Sequence, residues 1–163
     1  SSLDQATGQA IRFLTIMPAS TEGVNLDVAP TADQLRVAEA AETQMVQLVN
    51  QARVKAGRLP LKVSIVMTEI ARDYSRDMFT RRYFSHISPE GRDVGDRLQA
   101  AGIAYQEAGE NLAYAPDVTT AHVGLMNSEG HRKNILNPEY HRMGIGVIDA
   151  GFYGMMFTQV FAD

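Results

Sequence analysis

Three short segments of the sequence carry side chains that could do chemistry. They are "YFSHIS" with His86, "AGENL" with Glu110, and "SEGHR" with Glu129 and His131. An imidazole can bind a metal, accept a proton or change charge near neutral pH, and a carboxylate can act as a base or sit near a bound cation. A structural role stays open for each, with His86 as a loop histidine bonded to backbone and Glu110 as an exposed loop carboxylate.

Glu129 and His131 can contribute to one site only if the backbone between them adopts an unusual conformation. Residues two apart do not share a helix face, so the two side chains converge only if Gly130 distorts the chain. Ser128 is a favourable N-cap for a helix beginning at residue 129, and His131 would then lie in its first turn. The positive end of a helix disfavours imidazolium, which leaves the neutral ring that binds metal. As a first-turn acid, Glu129 also has a purely structural explanation.

The composition excludes several kinds of site. The 163 residues include no cysteine, which rules out disulfides, thiolate zinc sites and cysteine nucleophiles. The formal net charge of −4 gives no basis for nucleic-acid binding. No segment approaches the roughly 20 apolar residues that span a bilayer, although an anchor upstream of residue 1 stays an open alternative. The metalloprotease, nucleophile-elbow, P-loop and dinucleotide motifs are all missing.

The hydrophobic pattern predicts helices first and strands last, which indicates an α+β class. Residues 1–35 are predicted to be an N-terminal arm or linker, with a short helix over 5–14 as one option, and 36–163 the folded domain. The predicted helices are 31–57, 64–82, 94–101 and 118–127, followed by a helical turn at 131–136. A short strand and a glycine turn are predicted within "IAYQEAGENLAYAP", and a C-terminal hairpin is predicted from 143–148 and 153–161.

Five motifs, in this order, resemble the bacterial branch of the CAP superfamily (SCP/PR-1-like), which also holds cysteine-rich secretory proteins, antigen 5 and plant pathogenesis-related 1 proteins. The motifs are "LVNQARVKAGRLPLKV", "RDMFTRRYFSHISPEGRDVGDRLQAAGI", "AGENLAY", "LMNSEGHRKNILNPEYHRMGIGV" and "FTQVF". The resemblance covers about 42–163. It implies a three-layer α-β-α sandwich, with a small antiparallel sheet between helices and a shallow cleft lined by histidine and glutamate.

The resemblance also assigns individual residues to that cleft. His86 matches the histidine of F-S-H, Glu110 the glutamate of G-E-N, and His131 the histidine of the bacterial S-x-G-H-R motif. It implies a divalent cation, zinc before others, on His86 and His131, with Glu110 and the weaker candidate Glu129 nearby. This cation is not expected to be required for folding. The further residues expected to line the cleft are Asn111, Ser128 and Gln159.

At three positions this sequence departs from the family pattern, and these differences limit which residues can be assigned to the cleft. Met156 stands where animal and plant members carry a histidine, so His131 must be the second cleft histidine if there is one. Leu125 replaces a tryptophan common in the bacterial helix. Glu129 replaces a proline that is common there, so it cannot be equated with the second glutamate of the family.

The function predicted is that of an extracytoplasmic binding module, secreted or part of an anchored ectodomain, whose cleft takes a cation and a small or peptide-like ligand. One alternative is a cation-dependent, peptidase-like hydrolase with Glu110 as base and His86 and His131 in the catalytic site. It lacks a third clear ligand and an activated nucleophile, although Ser85 and Ser128 lie beside the histidines. A lipid or sterol carrier is the second alternative. A monomer is expected, with no nucleic-acid partner and no membrane insertion by this segment.

Overall fold

The computed structural model describes residues 11–12 and 30–163. Most of the predicted N-terminal arm therefore lies outside the described residues. Ile11–Arg12 form a short strand, β1. A short helix over 5–14 was one option in the sequence prediction, and the rest of that segment lies outside the described residues. The first long helix begins at Ala32, four residues before the predicted domain start at 36, and the arm-to-domain boundary stays a prediction.

The two long helices begin at side chains that cap their first turns. Helix α1 spans Ala32–Lys55, and Thr31 closes a capping box in which its hydroxyl accepts from the backbone N–H of Gln34 at 3.2 Å. Helix α2 spans Ile65–Arg81, and the Ser64 hydroxyl accepts from the backbone N–H of Met67 at 3.2 Å. Three shorter helices follow: α3 at Val94–Ala100, α4 at Val118–Met126 and α5 at Glu129–Ile135.

Besides β1, the described strands are β2 at Lys62–Val63, β3 at Ala108–Ala115, β4 at Arg142–Asp149 and β5 at Met155–Ala162. Among the described residues they form one sheet in the order β1-β3-β5-β4-β2. Its centre is antiparallel, with β5 between β3 and β4. The two-residue edge strands β1 and β2 run parallel to β3 and β4, a detail that the prediction of an antiparallel sheet did not contain. The predicted α+β sandwich is confirmed.

Helices cover both faces of the sheet. Helix α2 lies directly against β4, because a Cβ added at Gly146 would stand 2.0 Å from the backbone nitrogen of Arg72. Helices α1 and α4 cover the other face, where Ala113 packs with Met45 and Leu125. Side chains alternate between the faces of a strand. Strand β3 therefore sends Glu110 to the α2 side and Asn111 to the α1 and α4 side.

Candidate functional site

His86 lies in the loop between α2 and α3 and points at the sheet. Its Nδ1 is 2.9 Å from Oε1 of Glu110, and 15% of its side chain is exposed. The Tyr74 hydroxyl on α2 donates to the backbone oxygen of Ser85, which fixes the loop one residue before the histidine. His86 is therefore bonded to a carboxylate of the sheet, and its role is not confined to its own loop.

Glu110 is fully buried at the centre of this cluster, so it is not an exposed loop carboxylate. Both of its oxygens are engaged, Oε1 by His86 and Oε2 by Nη2 of Arg97 at 2.6 Å. A buried carboxylate needs such partners, since an unpaired buried charge is costly. A carboxylate favours the tautomer of His86 in which Nδ1–H donates, and the ring's lone pair then sits on Nε2.

Arg97 on α3 is a site residue that sequence reasoning missed. Its guanidinium carbon lies 3.5 Å from the centre of the Tyr74 ring, and its Nη1 donates to the backbone oxygen of Arg92 at 3.0 Å. Its positive charge offsets that of Glu110, so the pair adds no net charge to the cleft. A chemical argument could have identified Arg97, because a buried glutamate on a strand requires a cation from a neighbouring element.

His131 approaches from α5, the helix that Ser128 begins. The Ser128 hydroxyl makes no capping bond to the helix backbone and instead lies 2.8 Å from Nδ1 of His131. The ring is fully buried, and its Nε2 has no hydrogen-bond partner within the described part of the protein. Burial, followed by the nearby charge of His86, lowers the pKa of His131 to about 4. The imidazole is therefore neutral at physiological pH.

A buried amide network fixes the backbone of α5 against the sheet. Asn111 donates from Nδ2 to the backbone oxygen of His131 at 3.1 Å and to Oε1 of Gln159 at 3.0 Å. Asn134, a second residue that sequence reasoning missed, donates to Oδ1 of Asn111 at 2.9 Å. The Nε2 of Gln159 is buried without a partner among the described residues. Asn111 and Gln159 therefore lie beside the backbone of His131, on the α5 side of the sheet.

Glu129 takes no part in this arrangement. It is exposed on α5 and lies 3.1 Å from Lys133, one turn along the same helix. The Lys133 ammonium holds the pKa of this carboxylate below its usual value. Glu129 therefore has the structural role of a first-turn acid with a partner four residues on.

The candidate residues thus form two groups, one on each side of β3. His86, Glu110 and Arg97 meet on the α2 and α3 side. The amide network beside His131 lies on the α5 side, where Asn134 donates to the backbone oxygen of Glu110 at 3.3 Å. Within residues 30–163, no three His, Asp or Glu side chains form a group that could hold a metal ion.

Burial of His131 predicts a particular loss of stability in acid. In the unfolded chain a histidine titrates near pH 6.5, whereas His131 in the folded protein titrates at about 4. Between these values the unfolded state binds more protons, so the stabilisation is complete above about pH 6.5 and is lost as the pH falls toward 4. We expect at most about 3 kcal/mol from this residue across that window.

The measurement is the free energy of unfolding in urea at several pH values, for wild type and His131→Gln. His122, whose pKa is also lowered by burial, contributes in the same range in both proteins. The difference between the two curves therefore isolates His131. A His131→Gln curve with the same slope as wild type between pH 6.5 and 4 would show that His131 is not held neutral by the fold.

Comparison with known proteins gives one family. Residues 46–161 match the CAP family, described as the cysteine-rich secretory protein family. Two curated relatives come from Bacillus subtilis. The uncharacterized protein YkwD is 37% identical over 145 residues, which is 88% of this chain and 54% of YkwD. The uncharacterized membrane protein YlbC is 39% identical over 125 residues, which is 76% of this chain and 36% of YlbC.

Solved structures agree with this result. An extracellular protein containing an SCP domain from Bacillus anthracis is 35% identical, with a TM-score of 0.75, over 83% of this chain and 44% of that protein. An outer surface protein of Borrelia burgdorferi has a TM-score of 0.70 over 83% of this chain and 96% of its own length, but at 15% identity it supports the fold alone. The chain spans about half or less of YkwD, YlbC and the anthracis protein. Across the described residues, none of the helices has the length and apolar character needed to cross a membrane.

Proposed function

Because this chain belongs to the CAP family, the cysteine-rich secretory protein family, we propose that it is a ligand-binding module whose cleft holds a divalent cation on His86 and His131. One observation carries the proposal. Nε2 of His131 is fully buried and has no hydrogen-bond partner among the described residues. An unsatisfied buried nitrogen is costly unless a ligand, an ordered water or a metal completes it.

The donor set fits a borderline cation better than a hard one. Two imidazoles suit zinc, copper or nickel, whereas calcium and magnesium require several oxygen ligands. The nearest carboxylate, Glu110, already pairs with Arg97 at 2.6 Å, so it adds no negative charge for a hard cation. With two protein ligands, a bound zinc would keep further positions for water or for an atom of the ligand.

Protein residues around the site have orienting roles in this proposal. Glu110 fixes the ring of His86 through Nδ1, and Ser128 does the same for His131. Partners of this kind set the tautomer and direction of a ligating histidine and raise its basicity. Arg97 pairs with Glu110 at 2.6 Å and so holds in place the carboxylate that orients His86.

The hydrolase alternative draws less support from this geometry. As a general base, Glu110 would have to give up its contact with His86 or Arg97, since both oxygens are engaged. A serine mechanism through Ser128 would need His131 to accept its proton, and a histidine with a pKa of about 4 is a weak base at neutral pH. A binding module needs neither step, and its ligand is expected to be a small molecule, a lipid or a peptide.

We also propose that the module works outside the cytoplasm. The names of two relatives support this, since one is called extracellular and one a membrane protein. A chain without cysteine needs no particular redox environment, which is consistent with this location.

Isothermal calorimetry with zinc tests the cation site. We expect wild type to bind one zinc ion, and His86→Gln and His131→Gln each to bind at least about tenfold more weakly, equivalent to about 1.4 kcal/mol or more. His141→Gln is the matched control, because His141 is exposed and lies outside the cleft. Equal zinc affinity in wild type and both cleft variants would remove the proposal. A loss in His141→Gln of the same size would assign the heat to surface binding.

A further inference from the structure

Four large apolar side chains are exposed within one stretch of eight residues. Leu59 is 77% exposed, Val63 52%, Ile65 78% and Val66 43%. Single exposed apolar residues are ordinary, but a run of this kind marks a surface that contacts something else. The stretch contains strand β2 and the first turn of α2. We call these four residues, with the exposed cations Lys55, Arg58 and Lys62, the β2 edge surface.

Strand β2 is the last described strand on its side of the sheet. The backbone N–H groups of Lys62 and Ser64 donate to His141 and Met143, both at 2.9 Å. Backbone groups alternate in direction along a strand, so the N–H and C=O of Val63 point away from β4. They lie on the outer edge of the sheet, where an extended peptide can pair with a strand.

The charged side chains of the stretch that forms this edge are all positive, although the whole chain carries a formal charge of −4. The thirteen residues from Val54 to Val66 include Lys55, Arg58 and Lys62 and no acid. Glu69, one helical turn after Ile65, is the first acid that follows. Basic side chains and a proline at a sheet edge prevent identical edges from pairing, because like charges would meet. The surface therefore disfavours a second copy of this chain and favours an acidic strand.

From this combination we propose that the β2 edge surface is a docking site for an extended peptide segment of a partner protein, in which apolar and acidic residues alternate. The peptide pairs with the backbone of Val63, places apolar side chains on Leu59 and Ile65, and presents carboxylates to Lys62 and Arg58. This site is separate from the histidine cleft and does not rest on the proposed cation site. An anionic membrane fits less well, because interfacial surfaces are rich in Trp and Tyr and this stretch contains no aromatic residue.

The test is fluorescence anisotropy with two labelled octapeptides, one alternating Asp and Val and the other alternating Lys and Val. We expect the acidic peptide to bind at least about tenfold more tightly than the basic one, and more weakly as salt is added. Val63→Pro removes the outward N–H without touching the bonds to β4, and proline is tolerated at such an edge. Ile65→Asp places a charge in the apolar surface. Both variants are expected to lose about tenfold or more in affinity.

Val123→Asp is the matched control, because Val123 on α4 is also 52% exposed. It is expected to bind the acidic peptide like wild type. If Val63→Pro does not fold, Ile65→Asp decides the result. Equal binding of both peptides, absence of binding at about 1 mM, or the same loss in Val123→Asp would overturn the proposal. Two other results would also overturn the proposal if neither peptide binds. They are a dimer of this chain, or binding to anionic vesicles, that Ile65→Asp abolishes.

Discussion

Replacement of Arg53 by methionine is expected to lower the free energy of unfolding by about 4 kcal/mol, one of the two largest effects that the structure predicts. Arg53 on α1 is 1% exposed, and no acid pairs with it among the contacts described. Its guanidinium instead donates to four backbone oxygens, at 2.8 Å to Leu59, 2.8 Å to Ile135, 2.9 Å to Asn137 and 3.4 Å to Tyr140. Methionine fills similar space but leaves these oxygens without a donor.

The effect should extend to the cleft, because Arg53 binds the end of α5, the helix that carries His131. A cation suits the negative end of a helix, and here it replaces the backbone donors that α5 lacks after Ile135. Urea unfolding of Arg53→Met and Arg53→Lys measures the cost, and lysine is expected to recover only part of it because it lacks the planar fork. Arg58→Met is the control, since Arg58 is exposed and makes one bond, to Leu136 at 3.0 Å. A loss below about 1 kcal/mol in Arg53→Met would contradict this account.

Glu110→Ala is expected to cost about 3–5 kcal/mol, because it strands a buried guanidinium. The Arg97 side chain is 13% exposed, and its Nε already lacks a partner among the described residues. Removing Glu110 takes away its shortest contact, at 2.6 Å, together with the acceptor for Nδ1 of His86. Thermal and urea unfolding measure the loss directly.

Because Glu110→Ala is expected to destabilise the protein, a milder substitution is needed to test the function of Glu110. Glu110→Gln keeps the shape and one acceptor oxygen, so it is expected to be less destabilising than Glu110→Ala and is the better probe of binding or turnover. The double variant Glu110→Ala/Arg97→Met removes both charges and is expected to recover part of the loss. Glu110→Ala with near wild-type stability would show that Arg97 finds another partner or water, and that the pair does not organise the cleft.

Much of the fold could be predicted from periodicity. Helices α1 and α2 and the terminal hairpin show regular apolar spacing, and Pro60 and Ser64 mark the end of α1 and the start of α2. Strand β3 was harder, since Glu110 and Asn111 interrupt its apolar run. All eight of its residues are nevertheless buried. The two-residue strands β1 and β2 depend on pairing with distant segments and have no local signal.

The sequence motifs name candidate residues for a site, but they do not give the contacts between those residues. The motifs identified His86, Glu110 and His131, and first-turn placement gave a reason for a neutral His131. The partners Arg97 and Asn134 were missed, because their roles come from tertiary packing across the sheet. Only the burial of Glu110 indicates that a cation such as Arg97 must pair with it. The same packing decides the position of Glu129. Its spacing of two residues from His131 did not show whether it points toward His131, and the structure places it in solvent beside Lys133.

Anomalous diffraction from a crystal soaked in zinc tests the central claim most directly, because it locates the cation without reference to activity. We expect a single strong anomalous peak bonded to both imidazoles, His86 and His131, with Glu110 still paired to Arg97 and no zinc at Glu129. A cleft without a peak, or zinc found only on exposed carboxylates and His141, would contradict the proposal that the cleft is a cation site.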